Sequence, residues 1–177
     1  MSELEAEWAA RVAEAAHRAR LGGRGNVADY LALRAVNDLA RNVGVEWLIG
    51  RFAAHADTLG RSGIPAGITI KHEDNHRFRV GLSTMVGRRL VLQLGLRSVT
   101  VEAGWPRTPS DGIVRGGGLA CARISHFGDP RAREELLLVH ASADGPPQWL
   151  VIDQSPPHRR EPLVEARVPQ HLAKLLR

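Results

Sequence analysis

The hydrophobic period of this chain changes once, at Gly67. Before it, apolar residues recur every third or fourth position, the spacing of a helix face. After it they alternate with polar ones, the spacing of a half-buried strand. A run of helices followed by a run of strands predicts an α+β fold, with N-terminal helices packed on an antiparallel sheet. The 177 residues suffice for one domain with a sizeable core. No shift of composition divides them, so the reading is a single domain over 1–177, helical in 1–63 and sheet in 64–177.

Helices are expected over about 3–20, 27–43 and 45–59. In the first, Leu4, Trp8, Val12 and Ala16 form a stripe, Ser2 and Glu5 have the spacing of a capping box, and Gly22-Gly23 ends the helix. The next stretch carries two stripes. Leu33, Val36, Leu39, Ala40, Val43 and Trp47 share one face; Leu48, Phe52, Ala56 and Leu59 share another, turned by roughly 140° at 100° per residue. One helix over 27–59 would be ~50 Å long, against ~40 Å for a compact domain of this size. A break near Gly44 reconciles the two.

An antiparallel meander is expected over about 67–154. Ile68, Ile70, Phe78, Val80 and Leu82 alternate with polar residues, Val86-Gly87 reads as a turn, and Leu90 to Leu96 alternate again. Val99, Val101 and Ala103 continue on the opposite parity, which requires a bulge or turn near Gly95–Ser98. Further strands fall at about 119–127, 135–142 and 148–153, and a short C-terminal helix at 169–176 starts on Pro169.

Residues 72–76 spell His-Glu-x-x-His, the pattern of a zinc hydrolase. That chemistry needs both imidazoles one turn apart on a helix. The flanks "GITIK" and "RFRVGL" alternate with period two, so the segment reads as a hairpin whose tip is Glu73-Asp74-Asn75. This register faces Ile70 to Phe78 and turns Lys71, Arg77 and Arg79 outward.

The net charge is +5, and residues 61–100 hold seven bases against two acids, the whole excess. Lys71, Arg77, Arg79, Arg88 and Arg89 could therefore form a face for nucleic acid or another polyanion, although no exposed aromatic alternates with them for base stacking. Residues 104–118, "GWPRTPSDGIVRGGG", form a long loop in which Trp105, Arg107, Asp111 and Arg115 offer an aromatic wall and charged groups. It carries neither a P-loop ending nor a dinucleotide fingerprint. Cys121 and His126 are five apart on a strand, hence on opposite faces. No nucleophile and base pair off, and no cofactor motif is present.

The single cysteine excludes an internal disulfide and fits a reducing compartment. No apolar run approaches the ~18–20 residues of a membrane span, and the acidic start is unlike a signal peptide. The expectation is a cytoplasmic, non-enzymatic binding or adaptor domain without cofactor. Its protein or small-molecule partner would contact the 104–118 loop through Trp105, Arg107, Asp111 and Arg115. The alternatives are a polyanion-binding module using the arginines of 71–97, and a metal-dependent hydrolase at His72, Glu73 and His76.

Overall fold

The computed structural model describes residues 3–23, 25–61, 67–142, 145–153 and 159–176. Helices α1 (Glu3–Leu21) and α2 (Gly25–Arg61) precede seven strands: β1 (Thr69–Val80), β2 (Ser83–Leu94), β3 (Arg97–Trp105), β4 (Ala120–His126), β5 (Asp129–His140), β6 (Pro147–Ile152) and β7 (Arg160–Pro162). Helix α3 (Arg167–Ala173) closes the chain. The sheet order is β1-β2-β3-β4-β5-β6-β7 and every neighbouring pair is antiparallel. The α+β meander read from the sequence is therefore the fold. The parity slip near Gly95 is the β2–β3 turn, with Leu94 opposite Arg97. The capping-box residue Ser2 lies outside the described residues.

Two compact units divide the chain, Met1–Asn42 and Val43–Arg177. Helix α2 belongs to both, and it is not broken at Gly44. The length limit that argued for a break holds for one compact unit, whereas this helix is shared by two. Gly44 has a packing role instead. A Cβ there would sit 2.6 Å from Cδ2 of Leu138, and its carbonyl accepts the indole N–H of Trp149 at 2.9 Å. In the second stripe Leu48 and Phe52 are fully enclosed, Ala56 is buried and Leu59 is half-buried, while Leu33, Val36, Leu39, Val43 and Trp47 of the first stripe are exposed.

The second correction concerns residues 73–75. The chain does not reverse there. Strand β1 runs from Thr69 through Val80, and Asn75, at φ 57°, is an extra residue between the pairs Asp74–Arg88 and His76–Gly87. An asparagine that tolerates the left-handed region can make a bulge as readily as a turn. The reversal comes later, at Gly81-Leu82, and Gly87 is mid-strand rather than in a turn.

The hairpin reading assumed one buried sheet face, and this sheet buries both. Leu90, Leu92, Val99, Val101, Ile124, Leu136 and Leu138 fill the face toward α2. Phe78, Met85, Cys121 and Leu137 form a second cluster on the other face, joined by Val80, Val114, Val139 and Ile152. The bulge moves Phe78 and Val80 to that second face, while Ile70 stays opposite Leu92 on the first.

Candidate functional site

The 104–118 loop is the cover of this second cluster. Val114 packs into it, and a Cβ on Gly118 would run into the side chain of Leu137. Trp105 ends β3 and is only 4% exposed, with the Arg107 guanidinium 3.7 Å above its ring. Asp111 is buried and accepts from the Thr108 hydroxyl and backbone N–H at 2.8 and 3.1 Å and from Arg77 at 2.6 Å. The Thr108 hydroxyl, then its N–H and Arg77, hold the Asp111 carboxyl below its usual range. Arg115 lies beside Gly81 at the β1–β2 turn. Thus Trp105 meets Arg107, and Asp111 meets Arg77.

The five basic residues of β1 and β2 do not share a face. By register, Lys71 and Arg89 lie on the side of the second cluster, and Arg77, Arg79 and Arg88 on the other. Three of them are engaged in ion pairs: Arg77 with Asp111, Arg88 with Glu46 and Asp74, and Arg89 with Glu73. Arg89 and Glu73 belong to a row of alternating charges, Glu73, Arg89, Glu102, Arg123 and Glu135, one from each of β1 to β5. Opposite charges directly across strands stabilise the sheet. Glu102, 8% exposed, is paired with Arg123 and lies 2.7 Å from Nε2 of His76.

His72 and His76 do not converge. His72 is opposite Leu90 and His76 opposite Gly87, so the bulge sends the two rings to opposite faces of a strand. His76 Nδ1 meets Glu73 at 3.2 Å, and that bond is the main reason the Glu73 carboxyl is held low. Among the described residues, no three His, Cys, Asp or Glu side chains converge as metal ligands would.

A different group of residues is better arranged for binding. At one end of the sheet the β2–β3 and β4–β5 turns lie side by side, tied by the Phe127 N–H to the Ser98 carbonyl at 2.9 Å. With the end of α3 they bound an open cleft of about 490 Å³ lined by Arg97, Ser98, His126, Phe127, Asp129 and Lys174, within the usual size of a small-molecule site. His126 Nε2 is 2.9 Å from Nδ1 of His171, and the two rings stack with centroids 5.2 Å apart. His171 is buried on α3 against Phe52 of α2, and its Nε2 lies 3.3 Å from Oε2 of Glu134. Arg167 holds the other oxygen of Glu134 at 3.4 Å. The approach of His171 to Oε2 is off-axis for a hydrogen bond, and among the described residues that buried oxygen has no other partner. We take it as an ion-dipole contact that orients the ring.

Burial, then the neighbouring His171 and Lys174, push His126 down to about 4, against opposing pulls from Asp129 and Glu134. His126 is therefore a neutral imidazole at physiological pH, a hydrogen-bonding group rather than a cation. The same His171 contact holds the Glu134 carboxyl below its usual range.

Sequence reasoning counted Arg97 only among the arginines of 71–97 and passed over Glu134, His171 and Lys174, because these residues come from β3, β5 and the end of the chain and have no common spacing. One signal was legible: His171 sits with Val168 and Leu172 on the buried side of α3, and a polar residue on an apolar helix face needs a partner. No protein-family model, curated protein or solved structure matches this chain. Among the described residues no helix is long and apolar enough to cross a membrane.

Proposed function

We propose that this chain is a binding module for a small anion, held in the cleft between Arg97 and Lys174. The observation that carries this reading is the state of those two cations. Arg77, Arg88, Arg89 and Arg123 are engaged in ion pairs with carboxylates. Arg97 and Lys174 face the cleft, and among the described residues neither forms an ion pair. Against one carboxylate, Asp129, they leave the cleft positive. A concave site with convergent polar groups and surplus positive charge favours an anion.

Calorimetric titration of the protein with inorganic phosphate and with sulfate at low salt tests this. Saturable binding of at least one anion is expected, lost in the Arg97→Ala/Lys174→Ala double variant. Binding of neither anion by the wild-type chain, or binding that the double variant keeps, ends the proposal.

A second reading, a protein adaptor, draws on the first unit. Leu33, Val36 and Leu39 are 60%, 55% and 62% exposed there, and a row of large apolar residues in water usually marks a contact surface. Cross-linking in cells should yield a partner adduct that Val36→Glu/Leu39→Glu abolishes; an adduct unchanged by those substitutions would exclude this surface.

A further inference from the structure

We infer that the oxyanion this cleft selects is one that brings its own proton, with hydrogen phosphate as the simple case. This rests on the anion-binding reading above. Arg97 and Lys174 are donors only, so they attract any oxyanion without distinguishing among them. His126 supplies the distinction, through the chain Glu134–His171–His126 that runs behind the cleft.

Each imidazole nitrogen is a donor or an acceptor, and a ring with one proton has one of each. Oε2 of Glu134 is buried and faces Nε2 of His171 at 3.3 Å. In the neutral ring a lone pair there would confront a carboxylate oxygen that, among the described residues, has no other partner, so the single His171 proton belongs on Nε2. Nδ1 of His171 is then an acceptor, and the 2.9 Å contact to His126 is complete only if Nε2 of His126 donates. The proton of His126 is thereby used. Its Nδ1, the remaining nitrogen of a ring that lines the cleft, carries a lone pair. Asp129, on the same cleft, is a second acceptor.

A site with two cations and two acceptors is mismatched to an oxyanion without a proton. Near neutral pH sulfate and the dianion of a phosphate monoester have none to give, and each would set an oxygen against the Nδ1 lone pair. Hydrogen phosphate keeps one proton across this range and can donate it to Nδ1 while its other oxygens accept from Arg97 and Lys174. A hydrogen bond to a charged partner made in one complex and replaced by repulsion in the other corresponds to at least about a tenfold difference in affinity.

The test uses the whole chain at pH 7.5, titrated in parallel with inorganic phosphate, sulfate and glycerol phosphate. Phosphate is expected to bind at least tenfold tighter than either of the others. In His126→Phe, phosphate affinity should fall to the level of sulfate while sulfate binding is retained. Nitrogen-15 shifts of the histidine rings provide a reading without substitution: His126 and His171 should both be protonated at Nε2 alone. Sulfate or the monoester binding as tightly as phosphate, or a proton on Nδ1 of His126, overturns the inference and leaves the anion site itself standing. If neither phosphate nor sulfate binds, the site falls, and the inference with it.

Discussion

Nε2 of His76 lies 2.7 Å from Oε1 of Glu102 although the whole of strand β2 runs between them. Adjacent strands are ~4.8 Å apart, so the imidazole must pass over β2. It can do so because its partner on that strand is Gly87 and the next residue in the row is Gly104. Substituents there would also strike backbone: a Cβ on Gly104 would lie 2.6 Å from the Val86 carbonyl oxygen. Two glycines thus open the path by which β1 is tied to β3.

Glu102 is the centre of that tie, and removing its carboxylate leaves Arg123 and His76 facing an empty, largely buried position. Glu102→Ala should cost roughly 2–4 kcal/mol, in the range of a broken buried pair. Glu102→Gln, which keeps an acceptor, should cost less. Urea unfolding monitored by tryptophan fluorescence measures both; equal losses would show that charge, not the acceptor, matters.

Gly44 and Leu138 are coupled in sign. Alanine is favoured over glycine inside a helix by about 1 kcal/mol, but at residue 44 its Cβ would meet the Leu138 methyls. Gly44→Ala should therefore fail to stabilise the wild type, with a net loss of about 1 kcal/mol. In a Leu138→Ala background, where the obstruction is gone, the same substitution should stabilise by about that amount. A double-mutant cycle with no reversal of sign would refute the packing role of this glycine.

Acid should weaken the fold through His126. Its folded value of about 4 lies below the unfolded value near ~6.5, so between those limits the unfolded chain binds more protons. Stability then falls as pH drops from ~6.5 toward 4, and the loss is complete below that. The ring is only partly shielded from water, so the effect is on the order of 1–2 kcal/mol. Glu134, whose carboxyl is held low, adds a further loss at the acid end. His126→Phe should flatten the upper part of the curve, as read from urea midpoints between pH 7 and 4; an unchanged slope would reject this assignment.

Cys121 is a buried member of the second cluster, and burial followed by the charge of Glu135 pushes its thiol up to about 11. The thiolate is the reactive species. Native protein at pH 8 should therefore react with a thiol reagent only as fast as it opens, with full labelling restored in urea. Rapid labelling of the folded chain would contradict the packing of this face.

The class of the fold was legible because periodicity is local: the change at Gly67, the stripes on α2 and the slip at Gly95 each report their own segment. Gly44, Asn75 and Gly87 were misread for the opposite reason. Each looks like a break or a turn among its neighbours in sequence, yet its role is set by distant residues: Leu138 for Gly44, the second cluster for the bulge at Asn75, the backbone of Ala103 and Gly104 for Gly87. The cleft was hidden in the same way. Arg97, His126, Asp129 and Lys174 come from β3, β4, β5 and the end of α3, and only the folded chain brings them to one end of the sheet.

Asn75 gives β1 one residue of slack. Because it has no partner on β2, a chain lacking it can close the gap with Asp74 still opposite Arg88 and His76 still opposite Gly87. Such a deletion should fold with every other pair preserved, losing only the local bend a bulge imparts, whereas excision of a residue beyond the bulge, such as Phe78, would drag its neighbours out of step. Within this strand, shortening by one is tolerable at a single address.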